Sequence, residues 1–78
     1  MEVTYTPEQL RKALHMADDA RSVMLVWHEA DKGVSAHYAA LTRARVEWRG
    51  QDTIDRHKTI MENYQKVKDL ADKKLKAL

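Results

Sequence analysis

A single apolar frame runs through the first two thirds of the chain. Leu10, Ala13, Ala17, Ala20, Met24, Trp27, Asp31, Val34, Tyr38, Leu41, Arg45 and Trp48 follow one another at alternating steps of three and four residues, and ten of these twelve positions are apolar. A strand would alternate by two, whereas steps of three and four gather side chains into one stripe of an α-helix. The chain is therefore expected to be all-helical, and a single helical domain over residues 1–78 is the only organisation its length allows.

The start of the frame is marked by Thr6-Pro7-Glu8-Gln9. Thr6 can cap a helix, Pro7 suits the first helical position, and Gln9 stands where the reciprocal residue of a capping box belongs. Gly33, after Asp31-Lys32, could end a shorter helix. A loop would normally shift the phase of the frame, yet Val34, Tyr38 and Leu41 stay in register with Met24 and Trp27. One helix over about 7–48 with a soft point at Gly33 is therefore expected, with a three-helix bundle broken at Gly33 as the alternative.

Trp48-Arg49-Gly50-Gln51-Asp52 is the clearest break. Gly50 can adopt a left-handed conformation that ends a helix, and Asp52 is placed to cap the next one. Beyond it, Ile54, His57, Met61, Tyr64, Lys68, Ala71, Leu75 and Leu78 form a second frame, widened by Ile60, Val67 and Leu70, which predicts a helix over 52–78.

Two antiparallel helices make one seam. The run Val23-Met24-Leu25-Val26-Trp27 encircles its helix, and five consecutive apolar side chains cannot all face one neighbour. A chain this short draws only roughly 3–5 kcal/mol of net stability from its own core, and it has no cysteine for a disulfide or a thiolate metal site. Pairing of two hairpins into a four-helix bundle would bury the excess apolar surface. The residues expected on that interaction surface are Val23, Met24, Leu25, Trp27, Val34, Tyr38, Leu41, Ile54, Met61 and Tyr64. The expected partner is a second helical hairpin, in a homodimer or a heterodimer.

Charge adds little about partners. Charged residues make up 33% of the chain but the net charge is +2, so both signs are interspersed as on solvated helix faces. The excess of lysine towards the C-terminal end complements a helix dipole. The opening Met1-Glu2-Val3-Thr4-Tyr5-Thr6 has no Sec-type signal pattern, and no apolar run approaches the roughly 18 residues of a membrane span. These features suit a protein that stays in the cytoplasm, or one that is exported without a Sec signal peptide.

Residue patterns that carry chemistry are weak. His15, His28, His37 and His57 include no pair three or four apart, as ligands on one helical face would be. His28-Glu29 begins like a zinc-protease signature, but Lys32 occupies the place of its second histidine. Ser22 and Ser35 lie inside helical segments without the strained turn of a nucleophile elbow. Asp18-Asp19 would point about 100° apart on a helix and solvate its outer face. Gly33 and Gly50 are the only glycines, so no phosphate loop exists. Neither enzymatic activity nor a cofactor nor a metal is expected.

The layout of a long helix, Trp48-Arg49-Gly50 at the bend and a second helix resembles the WXG100 proteins handled by type VII secretion systems of actinobacteria and Firmicutes. The opening Val3-Thr4-Tyr5-Thr6-Pro7-Glu8-Gln9-Leu10-Arg11 fits the same layout. That resemblance implies a helical hairpin with W-x-G in its turn, assembled as a dimeric four-helix bundle. It further implies that Trp48 and Gly50 form a turn and recognition motif, with Trp48 offering part of a surface to the secretion ATPase. The protein would then be a substrate, a partner or a targeting subunit, with a secreted effector or the ATPase as further partner. Several positions depart from the pattern. Arg56 stands where an aromatic is expected, Gln51-Asp52 replace small residues, and Tyr64 is followed four positions later by Lys68 where the export motif needs an acid. Export would depend on a partner carrying that signal.

Two other classes fit the residues. One is a small helix-turn-helix nucleic-acid binder with Arg56, His57 and Lys58 on its recognition helix, although Asp55, Glu62, Asp69 and Asp72 interrupt the basic face. The other is a phage- or plasmid-encoded helical inhibitor or scaffold of one host protein.

Overall fold

The computed structural model describes residues 5–78; the expectations that rest on Met1–Thr4 lie outside it. Three helices follow one another: α1 Pro7–Met16, α2 Ala20–Val46 and α3 Gln51–Ala77. No strand occurs among the described residues, and none of these helices is long and apolar enough to cross a membrane. α2 and α3 are antiparallel partners of 27 residues each, about 40 Å long at 1.5 Å per residue. α1 folds back onto one side of this pair, so the longest dimension is 44 Å.

α1 begins as its residues predict. The Thr6 hydroxyl accepts the Gln9 amide at 3.1 Å, and the Gln9 side chain accepts the Thr6 amide at 2.9 Å, closing the capping box ahead of Pro7. The expected unbroken helix over 7–48 is not found. It is interrupted at Ala17-Asp18-Asp19, where Ala17 and Asp19 are both extended. The Asp19 carboxylate accepts the Ser22 amide at 2.7 Å and caps α2, and this bond holds its pKa below the ordinary carboxylate value. Aspartate side chains compete for nearby backbone amides, so consecutive aspartates favour a helix start over a helix interior. The pair expected to solvate an outer face is thus the hinge between two helices.

Gly33 neither ends α2 nor softens it. It is buried within the helix, and a Cβ there would come closer than 3.0 Å to the Tyr64 ring of α3. Glycine at this point lets the two long helices approach. The alternative break at Gly33 is therefore excluded, and the third helix comes from the Asp18-Asp19 hinge instead.

The core stripe of α2 also differs from the frame read from Leu10 to Trp48. Buried positions are Val23, Val26, Ala30, Gly33, Leu41 and Ala44, a stripe displaced sideways from Met24, Trp27, Val34 and Tyr38. The small residues Ala30, Gly33 and Ala44 favour this stripe because they admit the larger side chains of α3. Tyr64, Val67 and Ala71 meet Val23, Val26 and Ala30, and Leu10, Leu14 and Ala17 of α1 complete the larger core cluster. A smaller cluster near the bend joins Leu41, Ala44 and Ile54, with Met61 against it.

α1 is anchored to α3 at both ends. The Tyr64 hydroxyl donates to the carbonyl of Tyr5, just before α1. At the other end the Lys74 ammonium donates to the Leu14 carbonyl at 2.6 Å and lies 3.4 Å from that of His15, satisfying acceptors that a helix C-terminus leaves open.

Gly33→Ala separates local propensity from packing. In an open helix the change would stabilise by about 1 kcal/mol. Here the Tyr64 ring must move against its other contacts, and a net loss of about 1–3 kcal/mol is expected in denaturant unfolding. An increase in stability would show that the ring is not held.

Candidate functional site

The bend between the long helices holds the least ordinary backbone of the described chain. Glu47 ends α2, and Trp48 then takes φ 52°, the one positive value among described non-glycine residues. The Arg49 amide donates to the Ala44 carbonyl at 3.0 Å and the Trp48 amide to that of Arg45 at 3.4 Å. These are the paired bonds of a Schellman ending, and they place Trp48 at the position that glycine usually fills. The left-handed residue expected at Gly50 is thus Trp48. Gly50, with φ 96° and ψ 152°, serves as the N-cap of α3, and its carbonyl accepts the Ile54 amide at 3.2 Å. Asp52, expected as that cap, lies within the first turn, where its charge complements the helix dipole.

Trp48 is 78% exposed. Its ring therefore gains little from burial within the chain while its backbone occupies a conformation unfavourable to a bulky side chain. Arg49 beside it is tied to Glu47 by a 2.7 Å ion pair.

The residues expected on one interaction surface divide into three groups. Val23, Leu41, Ile54 and Tyr64 are buried between the chain's own helices and cannot also face a partner. Close packing around Ala30, Gly33 and Ala44 draws them inward. Trp27, Val34 and Met61 are half-buried against those cores. Met24, Leu25 and Tyr38 are exposed, Tyr38 to 62%.

The exposed members lie on two sides. Leu25, with Tyr5, Leu10, Ala13 and Val26, lines a groove of about 440 Å³ between α1 and α2. Helical spacing puts Met24, Trp27, Asp31, Val34 and Tyr38 on another stripe of α2. Lys68 of α3 borders this stripe, with its ammonium 4.8 Å from the centre of the Trp27 ring and 2.8 Å from the Asp31 carboxylate. α1 meets α2 through the opposite flank, so it leaves the Met24–Tyr38 stripe uncovered. Trp27 contributes to this stripe mainly from within, since its indole N–H is enclosed without a protein acceptor.

The basic triplet of the helix-turn-helix alternative does not form one surface. Arg56 and Lys58 are exposed, whereas His57 is half-buried in the α2–α3 seam. There its Nδ1 lies 3.3 Å from Nδ1 of His37, and His37 stacks on Tyr64 with ring centres 5.7 Å apart. A search for histidines spaced along one helix misses this pair, because its members come from different helices.

Burial, and secondly the charge of His57, hold the His37 imidazole below its ordinary value of 6.5. The unfolded chain carries no such restriction and takes up a proton more readily below that value. This contribution is neutral above about pH 7 and destabilises the fold as pH falls through 6.5 towards the lower folded-state value. Denaturant midpoints should fall between about pH 7.5 and 5.5, and the fall should be smaller in His37→Gln. An identical pH dependence in that variant would remove His37 as its source.

No protein-family model, curated protein or solved structure matches this chain.

Proposed function

We propose that this chain is a non-enzymatic helix-pairing protein that presents Trp48 at its bend to a protein partner. The carrying observation is the combination of a left-handed backbone and an exposed indole at Trp48. A bulky residue in that conformation costs about 1–2 kcal/mol, which glycine would avoid. Local strain without an intramolecular return is the pattern of a residue kept for recognition, and tryptophan is among the side chains that most often anchor interfaces.

Pairing occurs through the stripe that α1 leaves open. Met24 and Tyr38, flanked by the half-buried Trp27, Val34 and Met61, accept the long helices of a second hairpin. Two α2–α3 pairs then make the four-helix bundle, with each α1 on an outer side. The second hairpin is another copy or a related helical protein.

Trp48-Arg49-Gly50 between two helices of equal length also supports the WXG100 reading, in which the protein is a substrate, partner or targeting subunit of a type VII secretion system. The broken first helix and the lysine at position 68 depart from that pattern. On this reading the chain resides in the bacterial cytoplasm and leaves it only with a partner that carries the export signal.

Light scattering tests the pairing. A species of twice the 9.1 kDa chain mass is expected, reverting to the chain mass in a Met24→Asp, Tyr38→Glu variant that retains its helical circular dichroism. A monomer, both alone and with the product of the adjacent gene, would sink the proposal.

Trp48→Gly tests recognition separately. Relief of the left-handed strain should raise stability by about 1 kcal/mol while partner capture or export falls. If the substitution instead unfolds the protein, Trp48 is a structural residue and the recognition role is unnecessary.

A further inference from the structure

His37 and His57 face one another across the α2–α3 seam with Nδ1 atoms 3.3 Å apart and ring centres 5.5 Å apart. Two imidazole nitrogens bound at about 2.0–2.1 Å to a tetrahedral metal ion stand roughly 3.3–3.4 Å from each other. The separation therefore already matches the bite of such an ion. We propose that His37 and His57 form a two-histidine clamp for a borderline divalent transition-metal cation of the Zn²⁺, Ni²⁺ and Cu²⁺ class, joining α2 to α3.

Packing holds His37 in place. His37 is stacked on Tyr64 at an interplanar angle of 24°, and the Tyr64 ring is itself seated on Gly33. The orientation of the His37 ring is thus set by contacts that exist without a metal, which lowers the ordering cost of binding.

Beside His57 lies a hollow of about 200 Å³, lined also by Ala40, Arg43, Ala44, Arg49 and Thr53. It has room for the water molecules or small anion that would complete the coordination sphere. Arg43 and Arg49 oppose a bare cation there but favour an anionic co-ligand, and Arg49 is already paired with Glu47. Among the described residues no group of three histidine or carboxylate side chains is assembled. Affinity must come from imidazole bonding, which suits the borderline metals and gives Mg²⁺ or Ca²⁺ nothing to bind.

The protons balance without a co-reactant. In the metal-free neutral pair, one Nδ1–H donates to the other Nδ1. Metal binding uses both Nδ1 lone pairs, so that proton shifts to Nε2 of its own ring. The clamp lies within one chain and stands whether or not the chain pairs.

Titration of the full chain with Ni²⁺ or Zn²⁺ at neutral pH, followed by imidazole NMR signals and thermal unfolding, tests the site. One equivalent should bind, perturbing His37 and His57 together and leaving His15 and His28 unchanged. The unfolding midpoint should rise with metal. His37→Gln and His57→Gln should each weaken binding about tenfold or more and abolish the rise. Unchanged affinity in either variant, perturbation centred on His15 or His28, or an equal response to Mg²⁺ would overturn the assignment. So would the absence of saturable binding up to about 1 mM in the unmodified chain, a result that requires no variant to fold.

Discussion

The Tyr64 ring seated on Gly33 sets the geometry of the whole molecule. Only a residue without a Cβ allows the ring to lie against the α2 backbone, and that approach brings Val67 and Ala71 into the stripe formed by Val23, Val26 and Ala30. The same ring fixes three further relationships. Its face supports His37, its hydroxyl reaches the Tyr5 carbonyl, and burial raises its pKa above the usual phenol value. How closely α2 and α3 pack, how the segment before α1 is tied to α3 and how the His37 ring is supported all depend on one aromatic side chain opposite one glycine.

Much of this fold is legible in the residues. The cap at Thr6, the reversal near Gly50 and the apolar stripe of α3 rest on local chemistry that tertiary packing leaves intact. The hinge at Asp18-Asp19 is hidden because Ala17 and Ala20 keep the spacing of an unbroken frame, even though the backbone between them is extended. The displaced core stripe is hidden for another reason. With apolar residues at every position from Val23 to Trp27, either of two stripes can face inward, and the choice depends on the small residues farther along α2. Gly33 is ambiguous from sequence because its partner stands 31 positions away.

The candidate sites divide along the same line. Trp48 and Gly50 are recognisable as a bend, but the Schellman bonds place the tryptophan where the glycine was expected, and Gly50 takes the capping place expected of Asp52. The histidine pair is a product of helix registration and leaves no mark in local spacing. Of the residues expected on one surface, the largest side chains of α3 are consumed by the chain's own packing. What remains outward is a narrower stripe centred on Met24 and Tyr38, with Leu25 apart from it in the groove beside α1.

The two core clusters are of unequal size, and the histidine pair lies between them. On one side nine buried residues from all three helices pack together; on the bend side only Leu41, Ala44 and Ile54 are buried, with Met61 against them. Opening the bend end therefore exposes little apolar surface, while opening the other end exposes most of the core. Backbone amides from Leu41 through Ile54 should exchange with solvent through local fraying, and those around Val26 and Val67 only when the whole chain unfolds. The tip that carries Trp48 is thus free to adjust its shape to a surface while the rest of the molecule stays closed.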